Sequence, residues 1–494
     1  MFIERLRTAF DLWLGAPASW FLTVVSLYIF LESNVDFAPS LTWHDGQRIA
    51  QLVLMAGVAV LILAVPAARN AVADTWVALP RWSRVALFAA FGLGIVSAMR
   101  APLWRWALLE WAMLVLLVAV TLGVAAGRRV GGVHLDRLLV MVVFATATAY
   151  AAKTVVIYLA MLTVGAEYGQ GFNVRELFTG FSNIRFFGHI QTMLLPFLLL
   201  PAMWWATTPR QRVLLGAGPA LWWMLVVASG TRGTWLGLSV GILTATLFGG
   251  RHGRRWIKWQ LAGAACGLLC YVAFVQIVPN LLEQPVSFLH RAADITSLSM
   301  REVLWDMAIR FSRENPLLGV GPMHFAYYAT AVAAHPHNAI LQFTAEWGIP
   351  AALSFTAVFA AGGLAFAARV RRVAAGSDTQ VGLTAVALLA ALTGAAAQAM
   401  VDGILVMPVS QIVLALICGW AIGYYFSDQS SIARCGILEK ALCAAIAMCA
   451  VGGAVYGVLP EIDRLEQREA AFLATHPPDT VLLPRFWAQG WIKP

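Results

Sequence analysis

The sequence predicts an all-α polytopic integral membrane protein, and three observations carry that reading. The 494-residue chain is 60% hydrophobic and only 12% charged. Its mean hydropathy is +0.74. Apolar runs of membrane-spanning length, on the order of 20 residues, recur along nearly all of it. In lipid every backbone polar group must be satisfied within its own segment, so such runs are helices. The net charge of +9 matters for where it lies rather than for its size. It gives no nucleic-acid footprint, so membrane lipids are expected partners and nucleic acid is not. No N-terminal stretch ends in a small-residue cleavage site, and the first apolar run reads as a retained span.

Taken in order, spans are expected near 14–31, 47–65, 83–99, 103–125, 138–163, 186–206, 211–229, 234–249, 259–278, 338–367, 380–400, 407–427 and 438–458, about 12–13 transmembrane helices. Their connections alternate in charge. With Arg5 and Arg7 cytoplasmic, the inner segments hold 19 basic residues, among them Arg128/Arg129/Arg137, Arg251/Arg254/Arg255/Lys258 and Arg434/Lys440. The short outer loops hold six, namely Arg48, Arg100, Arg105, Arg175, Arg185 and Arg232. Excess Lys and Arg in short loops marks the cytoplasmic side. The long outer loop is therefore expected on the face opposite the cytoplasm. Four regions follow: an N-terminal bundle of about nine spans over 1–278, a periplasmic helical loop over 279–336, C-terminal transmembrane helices over 337–458, and a periplasmic tail over 459–494. The tail, with Pro477-Pro478 and Trp487/Trp491, carries no pattern that assigns it a role.

Cys266 and Cys270 lie four apart in an apolar helix with no His or carboxylate nearby, so they are expected to pack rather than bind metal. Trp204/Trp205 and Trp222/Trp223 read as an ordinary interfacial belt. The loop 279–335 is too long for a simple connection. Within it, Leu304, Trp305, Ala308, Ile309 and Phe311 recur at helical spacing. They predict an amphipathic helix from Ser299 to Arg313, stopped by Asn315-Pro316 and followed by a turn at Gly319 and Gly321. Such a helix caps a cavity, grazes the lipid surface, or acts as a packed lid.

The stretch AHPHNAILQFTAEWGIP, residues 334–350, concentrates the chemistry. Pro336 suits a helix start. His337 is expected in the first turn of the following span, where the helix dipole biases it to the neutral, proton-accepting form. Arg232, in a turn of a few residues, and Arg185, at the start of a span, are cations on the side that otherwise lacks them. A lone arginine there snorkels to headgroups. Two together offer planar forks matched to phosphate oxygens and suit a pyrophosphate without a metal. No Asp-rich metal site and no P-loop are present, so no cofactor is expected. Glu346 reads first as a helix-fixing hydrogen-bond partner. Asp402 is placed to orient the His or an Arg, and His335, His324, Asn338 and Arg301 are candidates for support or glycan contact.

Three stretches together, SGTRGTWLG, REVLWDMAIRFSRENPLLGVGPMHF and HPHNAILQFTAEWGIPAAL, resemble the O-antigen ligase and O-antigen polymerase superfamily of bacterial envelope enzymes. The resemblance covers roughly residues 182–365. It implies glycan transfer at the periplasmic face from an undecaprenyl-pyrophosphate-linked donor. The acceptor is the lipid A–core oligosaccharide in ligases, another lipid-linked repeat in polymerases, and a protein Ser in some relatives. By this resemblance His337 corresponds to the family's essential His, the base toward the acceptor hydroxyl. Arg232 and Arg185 correspond to its pyrophosphate-binding arginines. The chain departs from the family after Arg185, where a Gly-x-Phe-x-(Asn/Pro) run is replaced by Phe187-Gly188-His189-Ile190-Gln191. The RFFGHIQT run and the large outer loop look most like ligases. Among other classes, a transporter would show internal repeats and mid-membrane charges, and this chain shows neither. A scaffold would leave the His-Asn and Arg turns unexplained.

Overall fold

The computed structural model describes residues 20–165, 171–284, 286–287, 300–328, 332–427, 435–474 and 482–493. Arg5, Arg7, the start of the first span, Ser299, Arg434 and Pro477-Pro478 lie outside them. In chain order the helices are α1 (Trp20–Asn34), α2 (Trp43–Ala64), α3 (Pro66–Ala78), α4 (Arg81–Arg100), α5 (Trp104–Ala160), α6 (Ile184–Leu198), α7 (Leu200–Trp205), α8 (Pro209–Ser229), α9 (Arg232–Phe248), α10 (Gly250–Cys270), α11 (Val278–Leu281), α12 (Arg301–Glu314), α13 (Ala339–Trp347), α14 (Ile349–Ala374), α15 (Thr379–Ala399), α16 (Pro408–Tyr425), α17 (Ile437–Ile462) and α18 (Leu465–Ala474). Two-residue strands β1 (Phe172–Asn173) and β2 (Val286–Ser287) pair in parallel. Among the described residues ten helical stretches are long and apolar enough to cross a membrane. The protein is an all-α multi-pass membrane protein.

Local chemistry sets the helix ends. Thr208 and Gln211 form a reciprocal capping box ahead of Pro209, and Asp378 caps α15 by accepting from the Gln380 and Val381 N–H groups. The centre of the bundle is α6, buried almost throughout, with Phe197 stacked on Trp420 of α16 at 4.9 Å.

Several expectations change in detail. The spans at 103–125 and 138–163 are two helices within the range of α5, joined directly at Gly132, whose φ of 59° and ψ of −149° are not helical. A straight helix of this length would measure about 85 Å, far beyond a hydrocarbon core of ~30 Å. Arg128, expected in a cytoplasmic loop, is buried at the break. Its Nε and Nη2 donate to Asp136 at 2.9 and 2.7 Å, and the Trp420 indole donates to the same carboxylate at 2.7 Å. The span 338–367 is likewise broken, at Gly348 (φ 84°, ψ 162°), into α13 and α14. His337 is not in a helical first turn and Pro336 is not the first helical residue. Asn338 caps α13, and His337 precedes it with φ 53°.

Other corrections follow from burial. Arg48 sits in the second turn of α2, not in an outer loop, and is 2% exposed. It is tolerated there because carbonyls of Phe486, Arg485 and Val406 accept from it at 3.1, 3.1 and 2.6 Å. Trp222 and Trp223 are core rather than belt residues, and the Trp222 indole donates to the Ala147 carbonyl at 2.8 Å. Cys266 is exposed on the chain's surface instead of packed. The tail is not a free appendage, since Arg485, Phe486 and Trp487 are buried against α2 and α5.

Candidate active site

Three helices start where the singled-out arginines stand, and a fourth starts at the histidine. Arg185 is in the first turn of α6, where Asn183 accepts from its N–H at 3.0 Å. Gly230 (φ 57°) closes α8, and the chain then enters α9 with Arg232 as its first residue. Arg301 is the first residue of α12. Asn338 caps α13 by accepting from the Leu341 N–H at 3.0 Å, and its amide donates to the Met400 carbonyl at 3.1 Å. The apolar face of α12, through Leu304, Ala308 and Phe311, packs with Ala345 of α13. The Trp305 indole donates to the Pro336 carbonyl at 3.0 Å, so α12 pins the loop that presents His337.

Asp402 is the hub. Its Oδ1 lies 3.7 Å from Nδ1 of His337, and its Oδ2 lies 3.4 Å from Nε2 of His189. Arg185 and Arg301 both act on His337, and Arg185 and Arg232 both act on Arg301. The structure thus gathers His337, Arg185, Arg232, Arg301, Asn338 and Asp402. His335 joins them: its ring centroid is 4.1 Å from that of His337, and its Nδ1 accepts from the His337 N–H at 3.4 Å. A Cβ on Gly403 would stand 2.5 Å from the His335 ring, so only glycine lets that turn lie against it.

Glu346 is not part of this cluster. Eight residues beyond Asn338, about 12 Å along α13, it is fully buried and accepts from the Phe325 N–H at 3.0 Å and from Arg485 at 2.7 Å. Arg485 also donates to Glu110 at 2.6 and 2.8 Å. His324 is buried too, accepting from the Leu103 N–H at 3.1 Å.

The electrostatics divide the roles. Burial foremost, with Arg185, Arg301 and His189, pushes His337 down to about 4 against the pull of Asp402. Its imidazole is therefore neutral at neutral pH. Asp402 is held well below the usual carboxylate range by His189 first, then His337 and Arg185, which outweigh its burial. Burial lowers Arg301, and Arg185 and Arg232 add to that while Asp402 opposes it. Each arginine also faces the positive end of its own helix, an arrangement that costs about 0.3–1 kcal/mol per residue. Three such costs in one place make a concentrated positive potential suited to an anion.

Sequence reasoning missed His189, which meets Asp402, and Ser410 of α16, whose Oγ lies 3.0 Å from Nδ1 of His189. The one available signal for His189 was its position in the run that departs from the family pattern. Nothing in the sequence pointed to Ser410. Among the described residues no group of three His, Cys, Asp or Glu side chains is arranged to hold a metal ion.

Residues 217–356 match the family model described as O-Antigen ligase. The match includes the Arg232 turn, α12 and the His337-Asn338 cap, and excludes Arg185, His189 and Asp402. No curated protein matches the chain. Over the matched residues the chain is similar to the O-antigen ligase family, in agreement with the motifs read from the sequence.

Proposed function

We propose that the protein is a periplasmic-face glycosyltransferase that moves a glycan, an O-antigen, from undecaprenyl pyrophosphate to the lipid A–core oligosaccharide. The observation that supports this most is the meeting of three arginines and a neutral, carboxylate-backed histidine around Asp402. Arg185, Arg232 and Arg301 bind the donor pyrophosphate and stabilise its charge as it leaves. The acceptor hydroxyl oxygen attacks the anomeric carbon, the bond from that carbon to the pyrophosphate oxygen breaks, and the proton passes to His337.

The Asp402 geometry suits that proton transfer. Nδ1 of His337 faces the carboxylate, which leaves Nε2 for the acceptor hydroxyl. At 3.7 Å the pair is too long for a hydrogen bond, yet it is within ion-pair range once His337 is protonated. Asp402 thereby favours the imidazolium that forms during transfer more than the neutral ring before it, which is what lowers a barrier. Direct displacement inverts the anomeric centre, and the pyrophosphate already activates the sugar.

The experiment is reconstitution of the purified protein with an undecaprenyl-pyrophosphate glycan and lipid A–core, with products resolved on a gel. A shifted lipid A–core band that requires His337 supports the ligase reading. Elongated lipid-linked chains with an unshifted core would assign the same site to a polymerase. Transfer to neither would remove the glycosyltransferase reading.

A further inference from the structure

Asp402 is held from behind by a side chain that the reaction above does not use. His189 lies one turn after Arg185 in α6 and is fully buried. Both of its ring nitrogens face polar side chains: Nδ1 is 3.0 Å from Oγ of Ser410 in α16, and Nε2 is 3.4 Å from Oδ2 of Asp402. Ser410 is itself buried. A Ser410 hydroxyl that donates to Nδ1 places a ring proton on Nε2, toward Asp402. A chain of side chains, Ser410–His189–Asp402–His337, therefore links α16 and α6 to the loop before α13.

The electrostatics say why such a holder is needed. Asp402 is an ionised carboxylate beside Arg185 and Arg301. Its Oδ1 accepts from the Gly403 N–H at 2.9 Å, which leaves Oδ2 as the oxygen open to a guanidinium. The His189 ring, with Nε2 3.4 Å from Oδ2, occupies that side and competes with the arginines, while Oδ1 stays facing His337.

We infer that His189 is a positioning residue: it holds Oδ2 of Asp402 so that Oδ1 backs His337, and Ser410 fixes its tautomer. The inference rests on the reading of His337 as the acceptor's base. The test compares kcat for glycan transfer in the reconstituted reaction, with undecaprenyl-pyrophosphate glycan and lipid A–core, for His189→Leu, His189→Gln and Ser410→Ala, each also in an Asp402→Asn background. His189→Leu is expected to lower kcat about 10–100-fold, and His189→Gln, whose amide reaches the place of Nε2, to restore it to within about threefold. In the Asp402→Asn background His189→Leu is expected to add less than about twofold, because its effect runs through Asp402. A wild-type kcat for His189→Leu, an equal loss in both backgrounds, or no rescue by Gln would overturn the inference. If His189→Leu fails to elute as a folded monodisperse protein, Ser410→Ala decides: it must lower kcat in the wild-type background and not in Asp402→Asn. A dead His337→Ala with unaffected His189 variants defeats only this inference, whereas an active His337→Ala defeats the functional reading beneath it.

Discussion

At the scale of single residues, the site is a set of charges whose cost is visible. A histidine pushed down to about 4 is a weak base, but it is neutral across the physiological range. Transfer is therefore expected to hold level from neutrality to about pH 5 and to fall as pH drops through about 4, as the imidazole takes up a proton. A pH–rate profile checks this, and a midpoint near an ordinary His value of about 6.5 would show that His337 is not so buried in the working enzyme. Arg232→Lys is expected to lower kcat/KM for the donor by about tenfold or more, since an ammonium cannot reproduce the guanidinium's planar fork on phosphate oxygens. Steady-state kinetics with varied donor measures it. The sequence exposed His337, Arg185 and Arg232 because each is a polar residue at the border of an apolar run. His189 stayed hidden because its partners, Ser410 and Asp402, lie more than two hundred positions away along the chain.

At the scale of elements, α12 and α5 show what periodicity tells and what it omits. The expected helix 299–313 is found at Arg301–Glu314, because Leu304, Ala308 and Phe311 recur on one face and that face is buried. The same pattern could not show that Arg301, at its start, turns toward the anion site instead of solvent. In α5, the glycines and basic residues around position 130 read as a loop, yet the backbone stays helical on both sides of one glycine. What the sequence could not reveal is the Arg128–Asp136 pair, which allows those charges to be buried at the break. Gly132 sits in a region of φ and ψ that is essentially glycine's own, so Gly132→Ala is expected to destabilise by about 1–3 kcal/mol. Asp136→Ala, which strands a buried guanidinium, is expected to destabilise by about 3–5 kcal/mol. Thermal unfolding in detergent measures both, and an unchanged midpoint for Asp136→Ala would mean the pair carries no stability.

At the scale of the whole molecule, the composition foretold a multi-pass helical bundle, and the structure is one. The C-terminal segment was illegible, because the charged contacts that hold it are long-range: Arg485 meets Glu110 and Glu346 at separations of 375 and 139 residues. Together with the Ala488 N–H, which donates to Asp45 at 2.8 Å, these contacts tie the last residues to α2, α5 and α13. Ending the chain at Val481 removes Arg485 and leaves Glu346 buried without its cation. The truncated protein is expected to melt earlier and to transfer more slowly, because His337 directly precedes the Asn338 cap of α13. A truncated protein with unchanged melting and transfer would show that the segment is dispensable.

In the proposed reaction His337 accepts the acceptor's proton at a site where arginines hold the donor. The measurement that tests it most directly is the transfer rate of His337→Ala beside wild type in the reconstituted reaction, with donor binding followed in parallel. A loss of about 10²–10⁴-fold in transfer with donor binding retained is expected. Transfer at the wild-type rate would contradict it.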